Sequence, residues 1–268
     1  MLLKVVLSIA GSDSGGGAGV QADLKTFLAH RVFGITAITA ITAQNTQGIS
    51  LVHPLPASVV AAQLDSLFSD FQIDAIKLGM LVNLEILEVL AVYLKKVTCP
   101  IILDPVLSAT SGSSLLALDS VDFLQREIFP YMTVFTPNIP EANFFTHLKI
   151  SSQTPNEIIH QELKKIAPRA AVLLKGGHLP ADNYLEKFVI DRLFFQEKEY
   201  YFVNPYIDTK NLHGTGCTLA SSIAAELAKG ASIPKAVETA TSFVHQAILT
   251  AIKIGNGNGP INHSFCLT

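Results

Sequence analysis

Short apolar runs alternate with longer amphipathic stretches along most of this chain. Runs rich in aliphatic and β-branched residues predict strands over 3–9, 32–42, 73–78, 100–103, 133–135 and 170–174. Helical spacing of the apolar residues between them predicts helices over 19–30, 58–70 and 84–96. Strands separated by helices indicate a mainly parallel sheet covered on both faces, so we expect an α/β fold.

The pattern changes towards the carboxyl end. Two β-rich runs, 186–195 and 199–203, predict a hairpin around 196–198. Helical spacing then covers 215–229, and a second helix is capped by Ser232 and runs to about residue 254. The Gly-Asn-Gly-Asn-Gly run at 255–259 is interpreted as a terminal turn.

Composition narrows the class of protein. A chain of 268 residues with 49% hydrophobic and 15% charged residues is typical of one large buried domain over 1–268. A net charge of −3 without charge runs favours neither a nucleic-acid partner nor a membrane surface. Three widely spaced cysteines argue against a disulfide framework and favour a cytoplasmic protein.

Several predicted strands end in polar or glycine-rich sequence. In open α/β sheets, ligands bind beyond the carboxyl ends of the strands, so these ends should gather at one site. They are Gly11-Ser12-Asp13, residues 42–45, Gly79-Met80, Asp104-Pro105, Asn138, and Lys175-Gly176-Gly177.

The most informative segment is Gly214-Thr215-Gly216-Cys217, at the start of a predicted helix. Free backbone N–H groups and the helix dipole attract phosphate there. The same position lowers a cysteine pKa, so Cys217 could act as a base; a tight loop with a small buried cysteine is an equally weighted alternative. The chain has neither a P-loop nor a dinucleotide-binding glycine motif.

The other candidates each have a structural alternative. Asn138 and Glu141 form a helix capping box, and Glu141 could also hold water on Mg²⁺. Gln44 can donate and accept at once, which suits a ring with adjacent amino and nitrogen groups, or it is a polar loop residue. Lys175 could meet a phosphate or be solvated. Asp23 favours the first turn of a helix that follows a glycine-rich loop.

Together these segments resemble the hydroxymethylpyrimidine/phosphomethylpyrimidine kinase family, a branch of the ribokinase-like kinases. The matching segments occur in one order: IAGSDSGGGAG (9–19), QADLKT (21–26), TAQNT (42–46), KLGML (77–81), DPV (104–106), TPN (136–138), EA (141–142), KGGH (175–178) and HGTGCT (213–218). The resemblance implies a ribokinase-like fold and two ATP-dependent phosphorylations in thiamine synthesis.

The resemblance also implies residue roles. Gly214 and Gly216 would form the anion hole beside Cys217, the base. Substrate contacts would come from Gln44, which reads the pyrimidine edge, and from Gly11, Ala18, Asp23, Met80 and Val106. ATP would meet Lys175, Thr209, Lys210 and Thr215, and Mg²⁺ would be positioned by Asp104, Asn138 and Glu141.

One position departs from the family pattern. Thr110 stands where a flap lysine is usual, which puts the charge neutralisation of the second step in question. Relatives suggest a homodimer. The alternatives are a pyridoxal kinase of the same superfamily and a non-catalytic pyrimidine sensor.

Overall fold

A computed structural model describes residues 3–107, 120–151, 153–176 and 188–266. Its strands are β1 (Val5–Asp13), β2 (Phe33–Asn45), β3 (Gly48–Pro54), β4 (Ala75–Leu78), β5 (Ile101–Leu103), β6 (Val134–Phe135), β7 (Ala171–Leu174), β8 (Phe188–Phe195) and β9 (Lys198–Pro205). Its α-helices are α1 (Gly19–Ala29), α2 (Ala57–Asp70), α3 (Leu84–Leu94), α4 (Val121–Phe123), α5 (Ile139–Thr146), α6 (Asn156–Ile166), α7 (Thr215–Ala228) and α8 (Ile233–Leu249). A π-helical turn and a 3-10 turn join α4 to β6.

The strands form one sheet in the order β3-β2-β1-β4-β5-β6-β7-β8-β9. The six neighbouring strands β2-β1-β4-β5-β6-β7 pair in parallel. The outer strands β3, β8 and β9 pair antiparallel with their neighbours. The predicted α/β class is confirmed. In the described part of the chain, no helix is long and apolar enough to span a membrane.

Two hydrophobic cores lie on opposite faces of the sheet because successive strand residues point to opposite faces. Leu7 of β1 packs in the core that also contains residues of α2, α3, α5 and α6. Its neighbour Val6 packs in the other core, against α1, α7 and α8. Both faces are therefore covered, which explains why the central strands read as continuous apolar runs.

Two predicted boundaries were wrong, and an edge strand was missed. Residues 11–13 were expected in a loop, but they continue β1, where Ser12 and Asp13 pair with Ile41 and Thr42 after a register shift. The last helix ends at Leu249 rather than near 254, and its apolar residues Ile252 and Ile254 are exposed. β3 was not predicted because it is an edge strand with a largely exposed surface, so no buried alternation marks it.

The carboxyl-side hairpin is confirmed as β8 and β9 within the described residues. Its turn residues Gln196 and Glu197 both have positive φ, 50° and 58°, as a two-residue type I′ turn requires. The two strands pair in register, from Phe195 and Lys198 next to the turn to Phe188 and Pro205 at the other end.

Candidate active site

The glycine-rich loop after β1 winds around one buried carboxylate. Asp13 accepts hydrogen bonds from the amides of Gly15 (2.8 Å), Gly17 (3.0 Å) and Ala18 (2.8 Å). The ring Nε2 of His213 lies 2.8 Å from the same carboxylate. Burial would raise the pKa of Asp13, but the hydrogen bonds from His213 and the amides hold it below its usual value.

The start of α7 meets this loop at Gly214. Gly214 has φ 88°, and a Cβ built there would lie 1.9 Å from the carbonyl oxygen of Gly17. Only glycine satisfies both conditions. A Cβ on Gly216, two residues further on, would lie 3.2 Å from Asp104 Oδ2 and 3.5 Å from Lys175 Nζ. The start of α7 therefore lies beside the loop and beside a charged pair.

Cys217 is half-buried in the first turn of α7. Desolvation raises its pKa to about 11, although the charge of Lys77 pulls it down and the amide of Gly19 donates a hydrogen bond to the sulfur. The negative charges of Asp23 and Asp104 add to the rise. The prediction that the helix start lowers the pKa of Cys217 is therefore wrong, because burial and the charges of Asp23 and Asp104 raise it.

Lys175, at the end of β7, forms the charged pair. Its Nζ lies 2.8 Å from Asp104 Oδ1 and 3.9 Å from Glu141 Oε2. The side chain of Lys175 is 16% exposed, and neighbouring Asp104 and Glu141 raise its pKa despite burial. Lys175 is thus a largely buried, ion-paired cation, and the alternative that its side chain is solvated is wrong.

The capping box on α5 is confirmed. The amide of Asn138 donates to Glu141 Oε2 at 2.8 Å, and the amide of Glu141 donates to Asn138 Oδ1 at 2.8 Å. Burial raises the pKa of Glu141 to about 7; Lys175 opposes this rise and Asp104 adds to it. Among the described residues, no three His, Cys, Asp or Glu side chains are grouped as a ready-made metal site. Asp104, Asn138 and Glu141 nevertheless bring oxygen donors to one edge of the sheet.

Asp23 requires a correction. Its side chain is 0% exposed, and it accepts hydrogen bonds from Ser8 Oγ (2.5 Å), Lys77 Nζ (2.9 Å) and Ser221 Oγ (2.7 Å). The prediction that Asp23 lines the ring site is therefore wrong, because both of its oxygens are taken up beneath that site. Lys77 was missed, although a lysine inside the apolar run Ala75–Leu78 is a signal for a buried partner.

The remaining substrate candidates lie around the ends of β1, β2 and β4. Gln44 Oε1 accepts from Thr42 Oγ1 at 3.1 Å, and its Nε2 lies 3.3 Å from His213 Nε2. A Cβ on Gly11 would lie 2.9 Å from Met80 Sδ, so glycine leaves room for that side chain.

Met80 forms an apolar wall with Ala40, against which Ile49, Val52, Val82 and Val106 pack. An open cavity of about 470 Å³ lies beside this wall. It is lined by Ser14, Ala43, Gln44, Asn45, Gln47, Gly48, Ile49 and Ser50.

His213 lies in the matched HGTGCT segment (213–218), but it was not expected as a site residue. It connects Asp13 with Gln44, and a Cβ on Gly17 would lie 2.4 Å from its ring. Its position directly before the Gly214 helix start was the available signal. Ala18 lies beside Gly214, with its Cα 3.5 Å from the built Cβ.

The expected nucleotide residues are only partly brought together. Thr215 lies at the α7 start with Gly216, beside Lys175. Thr209 accepts from the amide of Asn211 at 3.1 Å, and Lys210 is exposed. Thr110, Gly177 and His178 lie outside the described residues.

Sequence comparisons with known proteins give matches over nearly the whole chain. A model of the phosphomethylpyrimidine kinase family matches residues 13–262. The hydroxymethylpyrimidine/phosphomethylpyrimidine kinase of Bacillus subtilis strain 168 is 43% identical over 264 residues, which are 98% of this chain and 96% of that protein.

Two solved structures share the fold. An ADP complex of Bacillus subtilis pyridoxal kinase matches with a TM-score of 0.86 and 33% identity, covering 98% of both chains. Phosphomethylpyrimidine kinase from Clostridium difficile 630 matches with a TM-score of 0.78 and 36% identity, covering 91% of this chain and 99% of that one. The predicted ribokinase-like fold is confirmed, and the chain belongs to the phosphomethylpyrimidine kinase family.

Proposed function

We propose that this kinase transfers the γ-phosphoryl group of ATP to hydroxymethylpyrimidine and then, from a second ATP, to the resulting monophosphate. One observation carries the proposal. The glycine-lined start of α7 lies between the Gln44–His213 pocket on one side and the Asp104–Lys175 pair on the other. That arrangement places a pocket for the substrate ring, a site for the transferred phosphoryl group and a lysine side by side in space, as phosphoryl transfer requires.

The ring would be held by Gln44, whose amide can pair with adjacent amino and ring-nitrogen groups, and by the apolar wall around Met80. The hydroxymethyl oxygen would then face the N–H groups of Gly214 to Gly216, which stabilise charge on the transferred phosphoryl group. Lys175 would meet the phosphates as a point charge.

Cys217 is proposed to accept the proton of the hydroxymethyl group. Burial raises the pKa of the sulfur to about 11, so the thiol must first lose its own proton to solvent before it can accept another. The charge of Lys77 and the amide of Gly19 lower the cost of that ionisation, which burial and the charges of Asp23 and Asp104 increase. In the second reaction the attacking group is a phosphate oxygen that is already ionised, so no strong base is needed. The two reactions should therefore depend on Cys217 to different extents.

Mg²⁺ with ATP fits the donor chemistry at Asp104, Asn138 and Glu141. All three bring oxygen atoms, which Mg²⁺ prefers. Burial raises the pKa of Glu141, and a cation bound beside it would oppose that rise, as Lys175 already does. We propose that these side chains hold Mg²⁺ largely through water. When bound, the ion neutralises charge on the phosphates.

A pyridoxal kinase activity is the second candidate, because one of the structural matches is a pyridoxal kinase. Gln44 favours the pyrimidine, since its amide can pair with an amino group and a ring nitrogen together. The sensor alternative is not retained, because the family to which the chain belongs is one of kinases.

The test is an ATP-consumption assay with separation of mono- and diphosphate products. We expect hydroxymethylpyrimidine to give both products, and pyridoxal to react more slowly. Gln44→Ala should remove most of the preference for the pyrimidine, while Gln161→Ala, an exposed change on α6 and outside the cavity lining, should leave it unchanged. Equal turnover of both rings by the wild-type protein, unaffected by Gln44→Ala, would contradict the proposal.

The homodimer and the cytoplasmic location remain proposals. The outer strands β2 and β3 expose Phe33, Ile41 and Leu51, at 48%, 48% and 59%, which supports a partner surface at that edge of the sheet. Sedimentation at low micromolar concentration tests the dimer.

A further inference from the structure

The glycine run at residues 255–259, expected to be a simple terminal turn, reaches across two other segments. We call it the glycine clasp. On one side it holds the turn between β2 and β3. The amide of Asn258 donates to the carbonyl oxygen of Thr46 at 2.8 Å, and the amide of Gly257 donates to Thr46 Oγ1 at 3.1 Å.

On its other side the clasp holds the segment that leads into α7. The amide of His213 donates to the carbonyl oxygen of Gly259 at 3.1 Å, and the amide of Ile261 donates to that of His213 at 3.4 Å. His213 and Pro260 thereby form a short parallel bridge. The same proline lies near the glycine-rich loop, 3.1 Å from a Cβ built on Gly17.

Close backbone contact explains the glycines of the clasp. A Cβ on Gly257 would lie 2.0 Å from the carbonyl oxygen of Thr46 and 2.9 Å from Gln47 Cα. On Gly259 it would lie 2.3 Å from Asn211 Oδ1. Gly257 lies outside the left-handed region, so it is needed for space rather than for its backbone angle. A backbone oxygen cannot move aside as a flexible side chain can, so a substitution there must push the clasp and the β2–β3 turn apart.

The two segments that the clasp joins carry the two halves of the proposed reaction. Gln44 lies two residues before Thr46, and Gly214 follows His213 directly. We propose that the glycine clasp is a positioning element that fixes the distance between the ring-reading end of β2 and the phosphoryl-binding start of α7. This inference rests on the proposed function for its substrate, and on the contacts above for its geometry.

The expected consequence is a selective loss. Misplacing a reacting group by about 1 Å can cost around a hundredfold in rate. A displaced β2–β3 turn would move Gln44. It would leave Lys175 and Asp104, which lie beside Gly216, in place. The KM for hydroxymethylpyrimidine should therefore rise while the KM for ATP stays nearly constant.

Three variants test this. Gly257→Ala introduces the backbone clash, and Thr46→Val removes only the acceptor for the Gly257 amide while keeping the side-chain volume. Asn256→Ala changes an exposed side chain of the same run and serves as the control. Hydrogen exchange of residues 43–52 is measured without substrate, with the β8–β9 hairpin as the internal reference, followed by KM for both substrates.

Gly257→Ala should speed exchange over 43–52 and raise the KM for the pyrimidine roughly tenfold, with KM for ATP within about twofold. Thr46→Val should give a smaller change of the same kind, and Asn256→Ala none. Unchanged exchange in Gly257→Ala, or faster exchange without a rise in the pyrimidine KM, overturns the inference. If the wild-type protein does not act on the pyrimidine, the proposed function fails, while the exchange comparison still decides whether the clasp holds the turn.

Discussion

At the residue scale, the most consequential side chain is Glu141, a buried carboxylate between a lysine and an aspartate. Its pKa is raised to about 7 in the fold, against 4.5 ordinarily. Below pH 4.5 it is protonated in both the folded and the unfolded chain. Between pH 4.5 and 7 only the unfolded chain releases the proton, so stability falls as the pH rises through this window and stays lower above it.

We therefore predict that Glu141→Gln raises the free energy of unfolding at pH 8, by on the order of 1–3 kcal/mol, and has little effect at pH 4.5. Glutamine keeps the capping box, so the change isolates the charge. Thermal unfolding at both pH values is the measurement. Glu157→Gln, the same change in the exposed first turn of α6, is the control. A pH difference of the same size in both variants would contradict the account.

Sequence predicts which residue types meet at the site better than it predicts their ionisation. The sequence names Gln44, Met80, Val106, Lys175 and the α7 glycines from strand ends and from the family resemblance, and their roles at the site remain predictions. The environment of Cys217 and Asp23 was not predictable, because it depends on Lys77, which lies 54 residues from Asp23 along the chain. Distant residues on neighbouring strands decide burial, and a local pattern carries no record of them.

At the element scale, the start of α7 depends on two glycines for different reasons. Gly214 needs a positive φ and meets the carbonyl of Gly17. Gly216 lies inside the helix, where the backbone suits alanine, and the nearest atoms outside the helix to its built Cβ are the ends of the Asp104 and Lys175 side chains. One glycine therefore serves the fold and the other leaves space at the site.

We predict that Gly214→Ala lowers both stability and activity, whereas Gly216→Ala lowers kcat at least tenfold with stability unchanged or slightly raised. Alanine is favoured over glycine inside a helix by roughly 0.5–1 kcal/mol, which offsets the tight contact. Urea unfolding and steady-state kinetics separate the two effects.

Gly230→Ala is the matched control for Gly214→Ala. Gly230 also has a positive φ, 91°, but its built Cβ meets nothing within 4 Å. Gly230→Ala should lower the free energy of unfolding by about 1 kcal/mol, which is the cost of the backbone angle alone. A loss in Gly214→Ala no larger than in Gly230→Ala would show that the contact with Gly17 is unimportant.

β3 and α6 were both missed, but only β3 lacks a pattern. The central strands and α1, α2, α3 and α7 were found from the regular spacing of their apolar residues. α6 has the same helical spacing, and it buries two residues, Ile159 and Leu163, as α2 does, so its own pattern was sufficient to predict it. β3 is largely exposed and carries no buried alternation. An edge strand is specified by its partner β2, which a single-segment pattern does not include.

At the scale of the whole molecule, one buried ion pair ties four elements together beneath the site. Lys77 of β4 and Asp23 of α1 are both 0% exposed and lie 2.9 Å apart. Ser8 of β1 and Ser221 of α7 donate to the same carboxylate. Removing one charge leaves the other buried and unpaired, whereas removing both leaves a neutral cluster.

We predict that Lys77→Met lowers the free energy of unfolding by roughly 3–5 kcal/mol, and that adding Asp23→Asn restores much of the loss. A urea-unfolding double-mutant cycle measures the coupling. The exposed pair Lys235–Glu238, with side chains 65% and 60% exposed, provides the control cycle and should give less than about 1 kcal/mol. Additive losses at Lys77 and Asp23 would contradict a coupled buried pair.

The global architecture was predictable from the alternation of strands and helices and from the order of the motifs. The joining of remote segments was not. The glycine clasp contacts Thr46, more than 200 residues earlier in the chain, and glycine-rich sequence looks the same whether it is free or held between two backbones.

The most direct test of phosphoryl transfer at the α7 start is a comparison of Cys217→Ala with the wild-type protein in each reaction separately, at saturating ATP. If Cys217 accepts the hydroxymethyl proton, the first phosphorylation should fall by roughly a hundredfold, and the second, whose nucleophile is already ionised, by far less. Equal losses in both reactions, or no loss in the first, would contradict the role given to this sulfur.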